Sequence, residues 1–190
     1  MMHTRTQRAF TLIETLVAVS ILTLAIVGPL FAANRAIVAA RTARDQLTAL
    51  YLAQEAIEYV RLMRDDAYLA RYPSSDASTV AWDDFTNGSG IFSIGSCRTS
   101  TCTLDPWLAM GTGGGLSLTP CSGTTCGPLY ILNGSYRQQS GGGAVKTPFT
   151  RTIQATWLPN DERSIVATVA WTYHGTPYSV SVSDHLTPWQ

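Results

Sequence analysis

The chain has 190 residues, room for one modest domain plus an anchor. Lysine plus arginine and aspartate plus glutamate both total 13, so there is no basic excess pointing to nucleic acid and no acidic solvating tail. Only 14% of residues are charged against 45% hydrophobic, and much of the apolar excess lies at the amino end, leaving a Gly-, Ser-, Thr- and aromatic-rich remainder suited to β-strands and surface loops.

The first nine residues, MMHTRTQRA, are polar, with Arg5 and Arg8 and no acid. From Phe10 to Ala33 the chain reads FTLIETLVAVSILTLAIVGPLFAA, with Glu14 its one charge. As a helix this run is roughly 36 Å long, enough to cross a hydrocarbon core of roughly 30 Å. A secretory signal has a shorter apolar region, about 7–15 residues, that ends at a small-residue cleavage site. A plain transmembrane anchor leaves Glu14 without a purpose, since a carboxylate at the bilayer centre costs on the order of 2.5–3.5 kcal/mol.

Ala9-Phe10-Thr11-Leu12-Ile13-Glu14, followed by an apolar helix, resembles the processing site of type IV prepilins and type II secretion pseudopilins. The resemblance implies cleavage between Ala9 and Phe10 by a prepilin peptidase on the cytoplasmic side, then N-methylation of Phe10. It makes Glu14 the assembly residue, neutralising the terminal amine of a neighbouring subunit. Gly28-Pro29 resembles the helix-loosening region of these proteins. One departure stands out, because the family usually has glycine before the cut and this chain has Ala9. A carboxylate alone in lipid is costly and a paired one less so, which would favour correct axial register in a filament core. Arginine counting does not itself set the topology. Arg5 and Arg8 precede the span, while Arg35, Arg41 and Arg44 follow it. The processing motif puts the leader in the cytoplasm, and the paired cysteines fit an exported carboxyl region.

No strong breaker appears from Asn34 to Arg71, and Leu47, Leu50, Ala53, Ile57, Val60, Met63 and Ala67 recur at spacings of three or four. One helix is expected from about Phe10 to about Arg71, membrane-spanning in its first half and amphipathic over 34–72. Glu58–Arg61 and Arg61–Asp65 are spaced as helix-surface ion pairs. Tyr72-Pro73 and Ser74-Ser75 end it.

Residues 73–146 read as a loop-rich region with short strands. Asn87-Gly88-Ser89 and Asn133-Gly134-Ser135 match a glycosylation sequon, but Asn-Gly is first a turn signal. The glycines at 111–115 and 141–143 read as loops, because neither cluster has the strand–helix setting of a phosphate-binding turn. Over 147–190 three alternating runs, around Phe149–Trp157, Ile165–Tyr173 and Tyr178–Val182, are separated by turns at Pro159-Asn160-Asp161 and His174-Gly175. That predicts a three-stranded antiparallel meander able to bury the helix stripe. The expected class is α+β, a long amino-terminal helix packed on a carboxyl-terminal antiparallel sheet with long loops.

Cys97/Cys102 and Cys121/Cys126 share one spacing, and two local disulfides are preferred over the two long-range pairings of the same residues. A four-cysteine zinc site is the rival, disfavoured outside the cytoplasm. The histidines are His3, His174 and His185, and no nucleophile-elbow pattern accompanies them, so neither catalysis nor a cofactor is expected. The resulting expectation is a minor pilin or pseudopilin, the minor assignment resting on the resemblance of residues 52–61. Its implied partners are the prepilin peptidase, other pilin subunits, the inner-membrane assembly platform with its ATPase, and membrane lipid. The alternatives are a membrane-anchored extracellular binding or adhesion module and, third, an exported enzyme.

Overall fold

The computed structural model describes residues 11–88, 92–106, 118–122 and 126–188. Helix α1 runs unbroken over Leu12–Arg71, 60 residues. After it come α2 (Ala77–Asn87), a 3-10 turn (Gly95–Arg98) and strands β1 (Cys102–Thr103), β2 (Thr119–Pro120), β3 (Pro128–Leu132), β4 (Ser135–Arg137), β5 (Val145–Trp157), β6 (Arg163–Tyr173) and β7 (Thr176–Leu186). The chain divides into two units after Asp45. The described part of the first is helical apart from Thr11. The second holds the rest of α1 and every strand.

The expected meander is present as β5–β6–β7, antiparallel throughout, with Arg151 opposite Val169 and Val169 opposite Val180. It is part of a larger sheet. The other edge of β5 pairs with β3 through Val145, Lys146 and Thr150, and with β1 at Ile153. β4 and β2 extend those two branches. Two of the hairpins turn on two-residue loops whose central residues all have positive φ: Asn133 (51°) with Gly134 (79°), and His174 (49°) with Gly175 (82°). That geometry matches the twist of the flanking strands and explains why Asn-Gly and His-Gly stand there.

Period 2 sets the sheet's inner face. Phe149, Ile153 and Ala155 on β5, and Ile165, Ala167, Val169 and Trp171 on β6, are buried in one core with Ala49, Leu52, Ala53, Ala56, Ile57, Val60, Met63 and Ala67 of α1. Four of those eight helix positions are alanine, so the helix meets the strands largely through small side chains. An aromatic row crosses four strands at one end: Tyr136–Phe149, Phe149–Trp171 and Trp171–Tyr178, with centroids 6.3, 5.9 and 5.6 Å apart.

Three sequence expectations need correction. Residues 73–146 are not only loops with short strands, because Ala77–Asn87 is helical. Its Ser, Thr, Val and Asp are weak helix formers, and burial of Ala81, Trp82 and Phe85 overrides them. The stripe does not begin at Leu47, which is 54% exposed; burial starts at Ala49. Arg61 pairs with Glu58 at 2.8 Å as expected, but its second partner is Asp184 of β7 at 2.8 Å, while Asp65 takes Arg64 at 2.9 Å. The i+4 acid loses to a carboxylate delivered by the sheet.

Candidate functional site

Ala9 and Phe10 lie outside the described residues. Just beyond them, Thr11 Oγ1 accepts the Glu14 backbone N–H at 3.3 Å. This is half of a capping box, and it puts the Glu14 carboxylate in the first turn of α1, at the positive end of the helix dipole. The first turn therefore suits an acid on local grounds alone, whatever a neighbouring chain adds.

Every residue from 11 to 41 is exposed in the isolated chain. Three hydroxyls in this stretch are absorbed by the helix itself: Thr15 donates to the Leu12 carbonyl, Ser20 to Leu16 and Thr23 to Ser20, at 2.8–2.9 Å. They present no unmet donor to lipid. α1 is long and apolar enough here to cross a membrane. The helix continues through Gly28-Pro29. Proline there supplies no N–H to the Ala25 carbonyl, so one rung of the ladder is missing at that point. Arg35 lies 5.2 Å over the Phe31 ring, one turn back along the helix.

In the second unit the chemistry concentrates where α1 meets β5. Arg151 is fully buried on the inner face of the sheet. Its Nη1 is ion-paired with Glu55 and donates to the Leu52 carbonyl at 3.2 Å, and its Nη2 donates to the Leu104 carbonyl at 3.1 Å. Burial lowers its pKa, with Glu55 and Asp105 opposing. A guanidinium stays charged regardless, so the pair must be held by geometry. Tyr59, one turn beyond Glu55, is buried beside them. Burial first, then Asp105 and Glu55, push its phenol up to about 12. Asp105 accepts the backbone N–H groups of Gln138 and Gln139 at 3.2 and 3.3 Å, and so ties the segment after β1 to the chain after β4.

This polar joint was not singled out from the sequence. The available signal was an arginine in the inward phase between Phe149 and Ile153. Such a residue demands an acid from the facing helix, and Glu55 borders the buried stripe. A neighbouring cavity of about 560 Å³ is lined by Thr48, Tyr51, Leu52, Glu55, Ser135 and Tyr136.

The cysteines bond locally, Cys97 to Cys102 and Cys121 to Cys126. The first bridge is buried in the core and closes the 3-10 turn onto β1. Among the described residues no group of three or more His, Cys, Asp or Glu is placed to hold a metal ion. His174 occupies a hairpin turn, and His185 Nδ1 contacts the Glu162 carboxylate.

Residues 4–28 match the family model of the prokaryotic N-terminal methylation motif. No curated protein and no solved structure matches the chain. The matched segment contains Ala9, Phe10, Glu14 and Gly28, and it ends one residue before Pro29.

Proposed function

We propose that this chain, a type IV pilin-like prepilin by its N-terminal motif, is a structural subunit of a pilus-like filament, a minor pilin or pseudopilin. The observation that carries the reading is the joining of that motif to one continuous helix, apolar and exposed at first and packed on a sheet later. Prepilin peptidase cuts between Ala9 and Phe10 and methylates the new amino terminus. The released helix stays in the inner membrane with its leader side cytoplasmic, until the assembly platform moves it into a filament. There the exposed apolar surface of residues 12–31 meets neighbouring helices instead of lipid. Glu14, in the first turn, then lies near the amines of adjacent subunits. A missing hydrogen bond at Pro29 lets the helix loosen during that transfer.

Co-expression with a prepilin peptidase, followed by mass spectrometry of the mature protein, tests the proposal. The expected product begins with N-methylated phenylalanine at position 10. An intact Met1 terminus, or cleavage near Ala33, removes it. Glu14→Ala is expected to be processed normally yet enter filaments poorly, and normal incorporation takes Glu14 out of the mechanism.

A further inference from the structure

The two buried guanidiniums of the second unit are served very differently. Arg151 has a carboxylate and two carbonyls, although its Nε, like that of Arg163, has no acceptor among the described residues. Arg163, 6% exposed, has one carbonyl, that of Glu162 at 3.0 Å. Its Nη2 is 3.9 Å from Asp161 Oδ1, beyond hydrogen-bond range, and the Asp161 side chain is 76% exposed. The Arg163 guanidinium lies 5.3 Å from the ring of Trp82 on α2 and 5.3 Å from that of Trp157 on β5. A second cation, Arg98 at the end of the 3-10 turn, lies 5.0 Å over the same Trp157 ring. Arg98 is exposed and has no carboxylate within ion-pair range among the described residues.

Three donors here have no acceptor among the described residues, although all are buried: Arg163 Nε, Trp82 Nε1 and Trp157 Nε1. Buried donors are ordinarily paired, and these three stand around a cation whose carboxylate neighbour, Asp161, lies beyond hydrogen-bond range. Rings can hold guanidiniums in place, but they supply no counter-charge. Burial and the nearby Arg98 both disfavour the charged form of Arg163, and Asp161 offsets this only in part.

We infer that Arg98 and Arg163, held against Trp157 and Trp82, form a binding site for a small oxyanion of the phosphate, sulfate or carboxylate type. The flat guanidinium fork matches such oxygens, and the indoles fix the fork's orientation in advance. Asp161 is the internal competitor, a carboxylate close enough to attract but too far to bond. The site is independent of the filament reading, since it involves neither the processing segment nor the exposed apolar helix.

The test uses the full chain in neutral detergent, titrated with inorganic phosphate at constant ionic strength and followed by the indole N–H resonances of Trp157 and Trp82. Acetate, sulfate and chloride titrations are run alongside. A saturable shift with phosphate, and with sulfate or acetate but not chloride, is expected. Arg98→Ala removes an exposed side chain and should weaken phosphate binding roughly tenfold, the loss of about one charge-assisted hydrogen bond. Asp161→Asn removes the competing charge and should tighten binding severalfold. Asparagine accepts the positive φ of 57° at that position, so this variant is expected to fold. A response that chloride reproduces, or either variant binding phosphate like the parent chain, overturns the site and leaves the ring–guanidinium contacts as structural packing.

Discussion

The two halves of α1 share one unbroken backbone and little else. From Thr11 to Arg41 every residue is exposed, and Leu16, Val17, Val19, Ile21, Leu22 and Leu24 point to all sides. From Gln46 to Arg71 the exposed positions include Gln54, Glu58, Arg61 and Asp65, while Ala49, Ala53, Ala56, Val60 and Met63 are sealed against the sheet. A helix apolar on all sides has no orientation to choose and needs an apolar surround. A helix apolar on one stripe selects one face and one register. Helix propensity is satisfied in both halves, and the period of the hydrophobic pattern decides which half finds its partner within the chain.

The largest expected break in that contrast is at Arg151. Arg151→Ala empties a fully buried side-chain volume and leaves the Leu52 and Leu104 carbonyls without their donor, and should destabilise the second unit by about 2–5 kcal/mol. Arg151→Met keeps the stem packed and lets Glu55, 42% exposed, return to water, so it should cost far less. Urea unfolding in neutral detergent followed by tryptophan fluorescence measures both, because every tryptophan lies beyond residue 81 and reports on this unit. Equal midpoints for Arg151→Ala and the parent chain would show that the joint does not hold helix to sheet.

A matched pair of alanine substitutions sharpens the comparison at a smaller scale. Ala56 is fully buried, so Ala56→Leu must push α1 away from the strands and should cost about 1–3 kcal/mol. Ala25→Leu adds the same atoms where the chain packs nothing, and the fluorescence midpoint should not move. A cost at Ala25 as large as that at Ala56 would mean that the two halves are not the separate environments described.

The same distinction governs what could be read in the sequence. The meander was legible because alternation in Phe149–Trp157, Ile165–Tyr173 and Tyr178–Val182 is a local signal, and positive-φ turn residues stand between two of the runs. The end of α1 was legible from Tyr72-Pro73. Helix α2 was not, because Ala77–Asn87 owes its form to what Trp82 and Phe85 bury against, which no eleven-residue window contains. Arg151's partners were hidden for the same reason: Glu55 is 96 residues away and Leu104 is 47. The segment that matches the N-terminal methylation motif is the opposite extreme, since its signal is a short motif and a composition, legible without any tertiary partner.

The smallest expected effect concerns the outer margin of the packed half, where Asp184 reaches α1. The Arg61 hydrogen bond, first, holds its carboxyl below the ordinary 3.8; partial burial opposes this, and the His185 backbone N–H and the nearby Arg64 add to the lowering. A depressed folded-state pKa means that the unfolded chain binds the proton more readily. The contribution is therefore complete above about pH 5 and is lost as pH falls through 3.8 toward the folded value. Arg61 is partly exposed at 44%, so the pair is worth a few tenths to about 1 kcal/mol. Asp184→Asn should lower the urea midpoint slightly at pH 7, and its gap to the parent chain should narrow as pH falls below 3.8. A gap between the two that stays constant from pH 7 to pH 3 would assign the effect to packing at the sheet edge rather than to the ion pair.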